Sequence, residues 1–519
     1  MMRRLIALLL LVSAPHSWAA LRLVSKAGTN SGTCVGSPCL TIQFAASQVV
    51  AGDTLRIGAG VYVETVTFSQ ALSSSGVDTI IEGDSAAPTE SGQTYGSTVI
   101  VDCNGAARCM SFTGPVRRLR FRNITIRGGT TALLSFSGGS SLTTIQNTLS
   151  DFRLDDNPGT LVGWDASKGS YPGASALELL TMRQSEIFDF EIEGDPAGTT
   201  NGGDSHAALA GVPEGSGANA TGFAGNNDDG AGTGNWIHHF TISNFAGGLA
   251  LAGSAWTIWE HGWVRAIRGL VDQGTAESYN DNAVIWRFMK MTDMCPDAVP
   301  YSTILNIRST HAGNGRRSSI IAYNNTVEIP STCPDSASGG GTFWRRHSFQ
   351  DETFAPNSDF VSINNIFLGR WSTSSAFGMH VVENTPDDIT DCPISGKGFR
   401  LDHNLFDITQ GNRYSVRQAI YEDPDCSWLV AAGQPPTNAN GDDYEGDGDV
   451  VGSALLDGNF DPTSSSPACS AGSESYTAWD GGKSARWIGA AEGDCAGGGT
   501  PPPPPPGPTG VILFGMKIP

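Results

Sequence analysis

A short phrase that keeps returning constrains this chain more than any other feature. Between residues 41 and 408 an apolar strand is followed by Asn, Asp or His, a second apolar strand and a Gly-rich turn. FRNITIRG at 121–128, FDFEIEG at 188–194, IHHFTIS at 237–243, AYNNTVEI at 322–329, INNIFLG at 363–369 and LDHNLFDI at 401–408 are the clearest copies. Successive units lie roughly 25 to 45 residues apart, the spacing of solenoid repeats. One such unit cannot bury its apolar face alone, and stacked units close a continuous core. With 65 Gly and only 16% charged residues, the composition suits an all-β chain with many turns.

Asn within the phrase has a structural purpose. It tolerates the left-handed backbone of a sharp corner. Stacked Asn side chains also hydrogen-bond from one unit to the next. Asn123, Asn325, Asn365 and Asn404 are the expected ladder, with Asp189 and His239 at the same register.

The segment LTIQFAASQVVAGDTLRIGAGVYVE at 40–64 resembles the start of the pectate-lyase-like β-helix superfamily. There a short amphipathic helix caps the first coil and a GDT…GxY-E stretch forms the first strands. NFDP at 459–462, SPACSAG at 466–472 and IGAAE at 488–492 resemble the terminal coil of the same superfamily. The resemblance implies one right-handed parallel β-helix over 20–495, with an N-terminal helical cap and a C-terminal capping coil. Cys469 and Ser470 stand where that superfamily usually has Ile-Asp, and Cys469 fits a disulfide to Cys495. The resemblance says little about activity, because this superfamily hosts lyases, hydrolases, epimerases and adhesins.

The ends and the cysteines point to export. Arg3 and Arg4 precede an apolar run at 5–12 that is too short to span a bilayer, and Ser17-Trp18-Ala19 sets up cleavage after Ala19. Residues 1–19 therefore read as a signal peptide, and the protein as secreted, extracellular or periplasmic. No later segment looks transmembrane. The ten cysteines fall as neighbours: Cys34 and Cys39, Cys103 and Cys109, Cys295 and Cys333, Cys392 and Cys426, Cys469 and Cys495. An even count in an exported chain favours disulfides. Pairing neighbours is the simplest connectivity, though sequence does not decide it. Residues 496–519 form a Gly/Pro-rich linker and a short tail.

The formal net charge of −21 argues against nucleic acid and anionic membrane as partners. A monomer that binds a polysaccharide is the expectation. Strands expected near 248–253, 302–310, 342–349, 376–383 and 418–422 carry Asn306 and Arg308, then Arg345 and His347, then His380, then Tyr421. On one face they would form a column of basic and hydrogen-bonding groups. Such a column suits β-elimination on a uronic acid, which needs a base and cations to hold developing charge. His347 or His380 is the candidate base, Tyr421 the acid, and Arg308, Arg345 and Asn306 the substrate-binding set. The competing readings are scattered residues on a solvated sheet of a non-catalytic surface or adhesion protein, and a glycoside hydrolase. The last needs two carboxylates facing one cleft. The pairs Asp228/Asp229 and Asp387/Asp388 lie in loop-like sequence, and His261-Gly262 matches a hydrolase motif only in part. Calcium is a candidate cofactor at 226–229, with Asp228 and Asp229 as ligands, and at 440–449. A solvated acidic loop is the simpler account of both. Trp236, Trp256, Trp259, Trp263 and Trp286 read as core packing before sugar platforms.

Overall fold

The computed structural model describes residues 19–73, 76–84, 98–137, 146–155, 175–179, 182, 184–194, 207–210, 235–245, 248–251, 257–267, 270–276, 282–294, 303–309, 318–331, 342–348, 360–370, 377–383, 399–408, 412–418, 428–431, 449–472 and 487–490. In several strands, among them Thr303–Ser309, Thr342–Ser348 and Phe377–Glu383, the backbone alone is described.

These residues form the right-handed parallel β-helix that the repeats imply. Each turn of chain gives one strand to a twelve-stranded sheet and, in the repeat phrase, two strand segments to a twenty-stranded sheet. Thr303–Ser309, Ser318–Tyr323, Thr326–Ile329 and then Thr342–Ser348 trace one such turn. Neighbouring coils pair in parallel register, so Phe152 lies beside Phe190 and Phe190 beside Phe240. Parallel neighbours need a crossover, and parallel crossovers are right-handed. Among the described residues of the twelve-stranded sheet the one antiparallel pairing is Asn412–Gln418 with Trp428–Ala431.

The corner between the two strand segments explains the phrase. Asn123, Asp151, Asp189, His239, His261, Phe288, Asn324, Asn364 and His403 all have φ between 50° and 58°. They stack coil upon coil at a corner where the backbone turns left-handed. Asn, Asp and His bear that conformation better than other side chains. The next residue of each coil points into the core. That inner column runs Ile124, Phe152, Phe190, Phe240, Gly262, Met289, Asn325, Asn365, Asn404. Its chemistry changes along the axis. Phe152, Phe190 and Phe240 stack with centroids 5.1 Å apart. Gly262 follows because the Phe240 ring fills its place: a Cβ there would sit 2.3 Å from the ring.

Beyond Met289 the column becomes an Asn ladder. Met289 N donates to Asn325 Oδ1 at 3.0 Å, Asn325 N to Asn365 Oδ1 at 2.9 Å, and Asn365 N to Asn404 Oδ1 at 3.1 Å. Asp449 Oδ1 ends it by accepting from Asn404 N at 2.8 Å. Only part of the expected ladder is therefore a ladder. Asn123, Asp189 and His239 belong to the left-handed column one residue earlier. A second ladder stands at the strand starts, where Leu119 N donates to Asn147 Oδ1, Asn147 N to Ser185 Oγ and Ser185 N to Asn235 Oδ1.

The opening motif is an anchoring device. Asp53, of the GDT, accepts from Ala20 N at 2.9 Å, Val50 N at 3.0 Å and Arg22 Nε at 2.7 Å. Glu64, at the end of GVYVE, accepts from Ile42 N at 2.9 Å and Gln43 N at 2.8 Å. These are the first amides of the helix Ile42–Ala46, which Thr41 also caps. Ile42, Ala45 and Ala46 are fully buried in the main core.

At the other end Val450–Val451 pairs in parallel with Leu405–Ile408. The residues after it pack over the outer face of the large sheet. Ala454, Ala468 and Ile488 bury Ile366, Leu368 and Leu405, while Gly489 N donates to Asn364 O at 2.7 Å. Disulfides join Cys34 to Cys39 and Cys103 to Cys109, and Cys469 is also disulfide-bonded. Cys295, Cys333, Cys392, Cys426 and Cys495, the segment 1–18 and the tail 496–519 lie outside the described residues. Among the described residues no helix is long and apolar enough to cross a membrane.

Candidate functional site

The twelve-stranded sheet places most of the sequence-derived residues. Four of the five expected strands stand at Gly248–Leu251, Thr303–Ser309, Thr342–Ser348 and Phe377–Glu383. Backbone register aligns Gln273, Asn306, Arg345, His380 and Ser415 on successive coils. Two residues along, it aligns Thr275, Arg308, His347, Val382 and Arg417. The candidates thus occupy two adjacent positions of equal parity. His347 and His380 are diagonal neighbours, one coil and two residues apart, or about 7–8 Å between backbone positions. The fifth strand is Asn412–Gln418, earlier than expected. Tyr421 lies beyond it and outside the described residues, as do Asp228 and Asp229.

The N-terminal coils of the same sheet show how these positions sit. Met110 and Leu134, like Phe112 and Phe136, are fully buried in the core. Ser111, Ser135 and Glu178 alternate with them and occupy one column. The register of that column continues through Ala210 and Leu251 and arrives at Gln273 and Asn306. Ser135 Oγ donates to Glu178 Oε2 at 2.7 Å, and Arg108 Nε reaches the same oxygen at 3.2 Å. The sequence reading missed this polar set, whose partners are up to 70 residues apart.

A second polar cluster lies on the outer side of the large sheet. Phe188, His238, Glu260, Arg287 and Tyr323 form one register column. Glu260 Oε2 accepts from Trp236 Nε1 at 3.0 Å and Arg287 Nη2 at 2.9 Å, and Arg287 Nη1 donates to the Tyr323 hydroxyl at 3.0 Å. His261 Nε2 lies 3.2 Å from Glu260 Oε1. Burial works against the Glu260 charge, but His261 and Arg287 hold its carboxyl far below the usual range. His238 Nε2 lies 3.2 Å from Glu186 Oε1, and its Nδ1 lies 2.7 Å from His239 Nδ1. Most of these contacts close the cluster on itself, as buried polar networks require. Trp259 and Trp286 stack face to face in the core at 4.8 Å, as expected of core tryptophans. Trp263 is half-buried and donates to Thr292 Oγ1 at 2.9 Å. Trp256 lies outside the described residues.

Asp189 stands apart within this cluster. Burial raises its pKa to about 6, Asp151 and Glu186 add to the rise, and His238 opposes it. Between the ordinary value of 3.8 and about 6 the folded chain therefore holds a proton that the unfolded chain releases. Stability from this group is full below that window and falls as pH rises through it. Asp189→Asn, which suits the left-handed backbone, is expected to remove that fall. The variant should match the parent near pH 4 and exceed it above pH 6 by on the order of 1 kcal/mol after solvent screening. Denaturant melts across the range check the sign.

Among the described residues no group of three or more His, Cys, Asp or Glu is placed to hold a metal ion. Asp228, Asp229 and residues 440–448 are outside them, and Asp449 accepts from Asn404 N at 2.8 Å.

No protein-family model matches the chain, and no curated protein matches it in sequence. Solved structures with a similar course exist. A pectate lyase aligns over 92% of this chain and 96% of its own, at 11% identity and a TM-score of 0.38. A polysaccharide lyase from Pseudopedobacter saltans aligns over 80% and 93%, at 10% identity and a TM-score of 0.36. A pectin methylesterase in complex with a hexasaccharide covers 70% and 90%, at 10% identity and a TM-score of 0.26. At these scores the fold assignment rests on the parallel coil register itself.

Proposed function

We propose that this is a secreted protein that binds an acidic polysaccharide along the twelve-stranded sheet and cleaves it by β-elimination. The observation that supports the reading is the register: Asn306, Arg345 and His380 share one position on three consecutive coils, and Arg308 and His347 share the adjacent one. Such a concentration of cationic and hydrogen-bonding residues is unusual in a chain of net charge −21. Coils are about 4.8 Å apart, so an extended ligand would meet successive coils at closely spaced positions.

In this reading His347 or His380 takes the proton from the carbon beside the uronate carboxylate. The electron pair forms a carbon–carbon double bond as the glycosidic C–O bond breaks at the next carbon. The departing oxygen receives a proton from Tyr421. Arg308 and Arg345 hold the carboxylate and the charge that builds on it, a task suited to a guanidinium fork. Asn306 adds a neutral donor. No step is assigned to calcium.

Incubating the mature protein with a panel of polyuronates, with and without calcium, tests the proposal. Ultraviolet absorbance from unsaturated sugar ends is expected to rise with at least one of them. Binding without any rise would turn the reading toward a non-catalytic surface protein.

A further inference from the structure

We infer that the outer face of the large sheet at its N-terminal end, around Arg56, Arg118, Arg120 and Arg122, is a second binding surface for a uronate-bearing glycan. The inference rests on the proposed function for the identity of the ligand, and it places binding away from the twelve-stranded sheet.

The pairing of charges carries the argument. Glu82 is shared by Arg56 Nη2 at 2.8 Å and Arg122 Nη2 at 2.7 Å. Asp78 is shared by Arg118 Nε at 2.9 Å and Arg120 Nε at 2.6 Å. Among the described residues of this face, four guanidiniums share two carboxylates, and the exposed Asp84 is a third acidic group. Further along the chain the balance is different. Arg153 lies among Asp155, Glu191 and Glu193, while Arg370 pairs with Asp407 and Lys290 with Asp461.

The excess cations are both presented and held. Arg56, Arg120 and Arg122 have side chains 49%, 57% and 46% exposed, whereas the Glu82 beneath two of them is 8% exposed. A guanidinium has five N–H donors, so one that shares a carboxylate keeps donors for solvent or ligand. The carboxylates fix the arginines before any ligand arrives, which lowers the entropy cost of binding. Arg120 and Arg122 stand two residues apart on one strand, about 6.6 Å, and Arg56 lies two coils from Arg122, about 9.6 Å. This spaced array of forks complements a polymer that repeats one carboxylate per sugar. Surplus positive charge on so acidic a chain selects an anion, and planar bidentate forks favour carboxylates.

Equilibrium binding of a long polyuronate to the full chain tests this. Parent, Arg120→Gln/Arg122→Gln and Arg120→Lys/Arg122→Lys would be compared, with circular dichroism to confirm the fold. The Gln pair is expected to bind about 10- to 100-fold more weakly. The Lys pair should fall between, because a point charge replaces a fork. Elimination of short uronide oligomers, where the parent performs it, should be unchanged in both. Arginine-dependent binding without any elimination would sink the lyase reading and leave this surface standing. Undiminished binding by the Gln pair overturns the inference, as does binding of a sulfated neutral glycan with none of polyuronate.

Discussion

Asn365→Ala is expected to destabilise the coil stack by about 3 kcal/mol or more. Asn365 is fully buried and joins three coils. Its Oδ1 accepts from Asn325 N and Asn325 Nδ2, both at 2.9 Å. Its Nδ2 donates to Ala322 O at 3.0 Å and Asn404 Oδ1 at 3.1 Å. Alanine would strand the Asn325 backbone amide in a fully buried site. Asn123→Ala is the matched comparison. Asn123 occupies the left-handed column, only partly buried, so Ala should lose about 1 kcal/mol, the cost of that backbone for an ordinary residue. Thermal unfolding gives the ranking, and amide exchange at Asn325 localises the damage. Equal losses in the two variants would show that the two columns are energetically alike.

That pair of columns also shows how far sequence could go. The repeats made the solenoid legible, and alternation placed the strands at 303–309, 342–348 and 377–383. The ladder was read one residue out of phase in half its members, because Asn serves both the left-handed corner and the inner ladder. In AYNNTVEI and INNIFLG the two roles are adjacent. Aligning the core residues Ile187, Ile237, Trp259 and Trp286 would have set the phase. The same alignment exposes the column of Phe188, His238, Glu260 and Arg287 that local reading missed. The fifth strand stands earlier than expected because three residues separate Leu405–Ile408 from Asn412–Gln418, against seven before Phe377–Glu383 and twelve before Thr342–Ser348. The shared carboxylates Asp78 and Glu82 had no local signal at all, since their arginines lie 26 to 42 residues away.

Loss of elimination activity in one of two histidine variants is the largest effect expected. Removing a general base typically costs about 10²- to 10⁴-fold in rate. His347 has Arg308 at its register position on the preceding coil, and His380 has Arg345 there. Each candidate base thus stands beside a candidate carboxylate clamp, and the two arrangements are displaced by one coil. If His347 is the base, His347→Ala should abolish kcat while His380→Ala mainly raises KM, and the reverse holds for His380. Arg345→Ala neighbours both and should weaken KM and kcat together, as loss of charge stabilisation requires.

The most direct measurement is the initial rate of ultraviolet absorbance gain on a polyuronate, for parent, His347→Ala and His380→Ala side by side. The account predicts a rise for the parent and a rate lower by about 10²-fold or more for one histidine variant. Three equal rates, or no rise for the parent on any polyuronate, would contradict it.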